Sequence, residues 1–252
     1  MTSARSRPIV ILFALLLFIV LVSLTATAGA APPQPKANWN PCYRETGYPF
    51  ECTIVQVPLD YDKPGAAVIN IAMVRLPAAD PAQRIGSLFL NPGGPGGSGF
   101  NFALDIAPFL YTEEVRARFD IVGFDPRGIA RSTAVRCFGS TNQWGPYFRP
   151  FIFPLNPEQE AIWWEADRYL LDHCDQRAAR IIDNMSTADV ARDLDLLRQA
   201  VGDDGLTYAG FSYGSYLGVT YANLFPDKVR SVVVDAVLDP IQWATGGPGE
   251  GD

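Results

Sequence analysis

Four short runs of continuous apolar residues set the architecture available to this chain. Ser87-Leu-Phe-Leu90 ends in a glycine-rich loop, and Phe119-Asp-Ile-Val-Gly-Phe124 ends at Asp125-Pro-Arg-Gly128. Leu206-Thr-Tyr-Ala209 runs into Gly210, and Val229-Arg-Ser-Val-Val-Val234 stops at Asp235. Uninterrupted apolar runs of this length are the mark of parallel strands buried on both faces. Helical patterns fall between them. The clearest, residues 189–201, places Val190, Leu194, Leu197 and Val201 on one face, and Ser186 with Asp189 three residues on resembles a capping box. Strand, loop and helix in repetition predict an α/β fold with a mostly parallel sheet, flanking helices and right-handed crossovers. Ahead of this pattern, Cys52-Thr-Ile-Val-Gln-Val-Pro58 alternates with period two, Ala67-Val-Ile-Asn-Ile-Ala-Met-Val-Arg-Leu76 follows, and Asp62-Lys-Pro-Gly65 supplies a turn, so a hairpin is expected.

The loops that end these runs carry the chemistry. Gly210-Phe-Ser-Tyr-Gly214 stands between a strand and the helix-like stretch 216–225. A sharp strand-to-helix bend exposes the serine hydroxyl and sets it at a helix N-terminus, where a developing anion is favoured. Ser212 is the candidate nucleophile, and the Tyr213 amide is a candidate oxyanion donor. Asn91-Pro-Gly-Gly-Pro-Gly-Gly-Ser-Gly99 follows another strand, and its lack of side chains lets backbone amides face a tetrahedral intermediate. A phosphate loop is the competing reading, but the G-K-[ST] ending is missing. Asp125 and Arg127 are expected to shape the loop beside the pocket through an ion pair or bonds to backbone amides. His173 is the only histidine; it precedes the serine, whereas a serine on such a strand-to-helix bend is followed along the chain by its acid and then its histidine. It is not expected to be the base. No metal site is expected. A zinc site would have to use cysteines that lack C-x-x-C spacing.

The N-terminus reads separately. Arg5 and Arg7 precede an apolar run over 8–24, and the small residues that follow offer cleavage sites. A cleaved secretory signal at 1–30 is the expectation, with an uncleaved anchor as the alternative and the sole route to a membrane. Residues 31–38 form a Pro- and Ala-rich leader, and the main domain is 39–252 with an insertion at 137–183 rich in aromatic residues. A formal net charge of −7 with no basic stripe argues against nucleic acid as a partner. Export suits the four cysteines; they allow three pairings, of which the local one, Cys42 with Cys52 and Cys137 with Cys174, is expected.

Asn91-Pro-Gly-Gly-Pro-Gly-Gly-Ser-Gly99, Asp125-Pro-Arg-Gly128 and Gly210-Phe-Ser-Tyr-Gly-Ser215 together resemble the α/β-hydrolase superfamily. Within it they are most similar to secreted bacterial tripeptidyl aminopeptidases and proline iminopeptidase-like serine peptidases. Val57-Pro-Leu-Asp-Tyr61, Asp193-Leu-Asp195 with Arg198, and Asp235 with Asp239-Pro240 add to the likeness. The resemblance covers about 39–243. It implies Ser212 as nucleophile, an oxyanion hole from Tyr213 with Gly93 and Gly94, no cofactor, and a peptide or small ester as substrate. Ala130 departs from the family, which has glycine there. The family's acid and histidine follow later strands and have no counterpart here, so the chain is expected to be the N-terminal portion of a protein about twice as long, lacking the last strands and cap, with an open sheet edge and poor solubility. An exported esterase or lipase, or a non-catalytic fragment or binding module, are the alternatives.

Overall fold

The computed structural model describes residues 35–246. The expected signal at 1–30 and the first half of the leader lie outside the described residues. Among those described, seven strands form one sheet: β1 (Asn40–Pro41), β2 (Glu51–Pro58), β3 (Val68–Leu76), β4 (Gly86–Asn91), β5 (Phe119–Phe124), β6 (Leu206–Phe211) and β7 (Val229–Asp235). Their spatial order is β1-β2-β3-β5-β4-β6-β7. The first three strands and the β3–β5 pairing are antiparallel, and β5, β4, β6 and β7 run parallel. The sheet is thus mixed and mostly parallel.

The expected hairpin is β2 and β3. Along β2, Thr53, Val55 and Val57 are buried while Ile54 and Gln56 face out, which is the alternation read from the sequence. Every residue of β4 is buried, and β5 and β6 are buried at all but one end residue. Such strands need cover on both faces. Helix α1 (Gly99–Leu110) covers one face through Phe100, Ala103 and Ala107, against Val74, Leu76, Leu88, Leu90 and Ile121. Helices α4 (Thr187–Ala200) and α5 (Tyr213–Leu224) cover the other through Leu194, Leu197, Leu217 and Tyr221, against Met73, Phe89, Val122 and Tyr208. Adjacent residues of one strand, such as Phe89 and Leu90, therefore feed different cores. The capping box of α4 forms as expected, with Ser186 and Asp189 exchanging bonds.

Between β5 and α4 the chain leaves the sheet. Helix α2 (Glu113–Arg118) precedes β5, and two short 3-10 turns then lead to α3 (Pro157–Ile182). By its sequence the part of the insertion from Glu158 to Leu171 looks helical, and α3 continues eleven residues further. Its later turns bury Ala178 and Ile181 against the core, and the disulfide Cys137–Cys174 holds its middle. The second disulfide, Cys42–Cys52, ties the start of β2 to the segment after β1. The expected local pairing is the one found. A short helix, α6 (Pro240–Thr245), follows β7.

Because β4, β5, β6 and β7 are parallel, their C-terminal ends lie along one sheet edge. Asn91 stands opposite Gly210, and Leu90 opposite Gly123. The glycine loop, the Asp125 loop and Ser212 therefore leave the sheet side by side, at the edge where open α/β sheets place their ligands.

Candidate active site

The bend after β6 holds Ser212 at φ 54° and ψ −124°, a backbone region that non-glycine residues rarely occupy. Holding a serine there costs about 1–3 kcal/mol, so the surroundings must fix it. The Ser212 amide donates to the Asp235 carbonyl at 3.0 Å, and the Ser212 carbonyl accepts from the Ser215 amide at 2.8 Å. Ser215 Oγ also donates to the Ser212 carbonyl at 2.6 Å and accepts from the Leu238 amide at 2.9 Å. The Ser212 side chain itself is exposed. Among the described residues no group hydrogen-bonds its hydroxyl.

Close approach explains the two glycines that flank the bend. A Cβ on Gly214 would stand 2.6 Å from the Asn91 carbonyl oxygen, and one on Gly210 would run into the Gly214 carbonyl. The buried Tyr208 hydroxyl donates to that same carbonyl at 2.8 Å. Helix α5 consequently starts directly against β4 and β6. The Tyr213 amide is the first of the helix and has no acceptor inside it.

The glycine loop reaches the same point. Asn91 Oδ1 accepts from the Gly93 amide at 2.8 Å and folds the loop back over β4. Gly93 takes φ +90°, and a Cβ there would lie 2.8 Å from the Tyr213 nitrogen and 3.1 Å from the Ser212 Cβ. Gly93, Ser212 and Tyr213 are thus in direct contact, with Gly94 next along the loop. Beyond it, Ser98 caps α1 and donates to Asp125 Oδ1.

Asp125 and Arg127 share one loop but not one partner. Asp125 is fully buried and accepts from the Phe100 and Arg131 amides at 3.3 and 3.0 Å, tying its loop to the start of α1. Arg127 points the other way. All five of its N–H groups are used: Nε and Nη2 bond Asp193 at 2.7 and 2.6 Å, and the rest reach the carbonyls of Pro58, Leu59 and Asn184. Burial alone would lower the guanidinium pKa, but its bonds to Asp193 raise it, so it stays charged. Tyr61 completes the group by donating to Asp193 Oδ1 at 2.7 Å. Arg127 therefore braces the β2–β3 hairpin against α4. One step along, Thr187 Oγ1 meets the Tyr213 hydroxyl, whose pKa burial raises, so that phenol is protonated at neutral pH.

His173 is on α3, its Nδ1 2.8 Å from the Tyr169 carbonyl and its ring against those of Phe138 and Tyr169, which also stack on each other. No bond links it to Ser212. Three contributors escaped the sequence reading: Asn91 as a side-chain acceptor, Ser98 as a cap, and Asp193 as the partner of Arg127. Only Ser98 had a local signal, a serine just before an apolar helical run.

Residues 86–246 match the family model described as alpha/beta hydrolase fold. The chain is 36% identical over 235 residues to the serine protease Hip1 of Mycobacterium tuberculosis, which covers 88% of this chain and 44% of that protein. It is 35% identical over 229 residues to the tripeptidyl aminopeptidase of Streptomyces lividans, with 85% and 41% covered. Carboxylesterase B of Mycobacterium tuberculosis is 38% identical over 221 residues, with 85% and 42% covered. The chain spans less than half the length of these curated relatives. Since the family model runs from β4 through α6 and takes in both loops that meet at Ser212, the chain belongs to the alpha/beta hydrolase fold family.

Proposed function

We propose that Ser212 is the nucleophile of an exported serine hydrolase that releases N-terminal residues or short peptides through an acyl-enzyme. The observation that carries this reading is the contact of Gly93 with the Tyr213 amide beside an exposed, strained Ser212. In the proposed cycle the Ser212 hydroxyl attacks a carbonyl carbon, and its proton passes to a base. The amides of Tyr213 and of the loop at Gly93 and Gly94 hold the oxyanion. The amine leaves with a proton, and water then releases the acid. Asp125 and Arg127 act by holding the loops in place. His173 is not the base in this reading: its ring bonds the Tyr169 carbonyl on α3 and makes no bond to Ser212. The two disulfides suit an oxidising compartment and support export. The names of the relatives Hip1 and tripeptidyl aminopeptidase support a peptidase.

A fluorophosphonate probe followed by peptide mapping tests the site. Labelling is expected at Ser212, to be absent in Ser212→Ala, to fall at least tenfold in Gly93→Ala, and to quicken with added imidazole. Labelling spread over other serines, or unchanged in Ser212→Ala, would refute the proposal. The 38% identity to carboxylesterase B favours a second reading, hydrolysis of small esters. Attachment of the chain's Ser212 to acyl groups from short-chain nitrophenyl esters, with none from aminoacyl arylamides, would select it.

A further inference from the structure

Away from Ser212 the described residues form a second hollow. A cleft of about 760 Å³ opens between the end of β2, the start of β3, residues 133–136 and the last turns of α3. Its floor is apolar, formed by Leu59, Ile69, Ala178 and Ile181, all buried. Its rim carries the exposed side chains of Arg136, Arg177 and Arg180, with Asp175 as the one carboxylate. Among the described residues none of these three guanidinium groups has a hydrogen-bond or ion-pair partner. Arg127, only a few residues before Arg136, uses every donor it has.

That rim stands out in a chain of formal net charge −7. Arginines on an acidic protein readily find carboxylates, and gathering three around the single carboxylate of Asp175, with none of them paired to it, raises the local positive potential. The rim is also fixed. Cys137 directly follows Arg136, Cys174 directly precedes Asp175, and the two are disulfide-bonded, so the loop wall and the helix wall are stapled together. Arg177 Nη1 lies beside Gly139, across from its own helix. An apolar floor under a fork-shaped cationic rim matches one kind of molecule, an aliphatic chain ending in a carboxylate or phosphate. The chain fills the floor, and the oxygens take paired N–H donors.

We propose that this cleft binds an amphiphilic anion, an aliphatic phosphate or carboxylate, independently of the chemistry at Ser212. Calorimetric titration of the full chain at low salt with hexyl phosphate tests it, with inorganic phosphate and hexanol as the two halves of the ligand. Hexyl phosphate is expected to bind at least tenfold more tightly than either half. The triple variant R136Q/R177Q/R180Q should lose at least tenfold in affinity while its melting curve is unchanged, since all three side chains are exposed. Absence of hexyl phosphate binding, equal binding by inorganic phosphate, or equal binding by the triple variant would each overturn the proposal. Co-sedimentation with phosphatidylglycerol vesicles separates the sources. Arginine-dependent sedimentation places the anion on a membrane lipid, and hexyl phosphate binding without sedimentation places it free in solution; both uphold the cleft.

Discussion

The loops at the C-terminal edge of the sheet and the segment from Cys137 to the end of α3 solve opposite problems. In the first, backbones meet so closely that Gly93, Gly210 and Gly214 have no room for a Cβ, and Ser212 is held in a strained conformation by its bonds with Asp235 and Ser215, the latter tied in turn to the Leu238 amide. In the second, 26 residues of helix bury only Ala166, Ala178 and Ile181, while Ile152, Phe153, Leu155 and Trp164 are at least 70% exposed. A few discrete ties hold it: the Cys137–Cys174 bridge, Arg149 paired with Asp167 and stacked on Trp163, and the Phe138, Tyr169 and His173 rings. The difference shows where precision resides. Geometry at the serine depends on many mutually dependent contacts, whereas the segment over the sheet depends on a small number of separable ones.

Four variants can break or sharpen this contrast. The largest effect is expected from Arg127→Ala, which leaves the buried Asp193 carboxylate without its partner and should cost about 3–5 kcal/mol in denaturant unfolding. A loss below 1 kcal/mol, on the order of an exposed pair, would mean that the loop edge is not over-determined. Replacing Cys137 and Cys174 together by serine should cost about 2–4 kcal/mol, chiefly by freeing the unfolded chain. Proteolysis of that variant is expected to begin between 138 and 156 and to leave the sheet intact, and cutting in the sheet loops first would invert the comparison. Ser212→Gly should stabilise by roughly 1 kcal/mol, because glycine adopts the bend without strain. A destabilised Ser212→Gly protein would show that no strain is stored at the bend. The smallest effect is expected from Ile152→Ser with Phe153→Ser, within about 0.5 kcal/mol, since both side chains already face solvent. A marked loss of stability there would reveal packing that their exposure denies.

Much of the first region was legible in the sequence. β4, β5 and β6 announce themselves because burial on both faces demands unbroken apolar runs, and the Ser212 bend and glycine loop are local patterns. The meeting of Gly93 and Tyr213 was legible only through the family resemblance and not from any local pattern, because it follows from β4 pairing with β6 across more than a hundred residues of chain. The Arg127–Asp193 pair is hidden for the same reason, with 66 residues between partners. The strand β1 is two residues long and carries no period at all. Helix α3 was foreshortened because its later turns alternate charged and small residues, and only the core beneath Ala178 and Ile181 shows which side is inward.

The bond from the Ser212 amide to the Asp235 carbonyl links the bend to the last residue of β7. Among the described residues β7 stands at one end of the strand order, with Val233 62% exposed. Asp235 on one side and Leu238, through Ser215, on the other thus hang the backbone of Ser212 from the end of β7, so a displacement of that strand would be felt at the bend before it reached the hydroxyl.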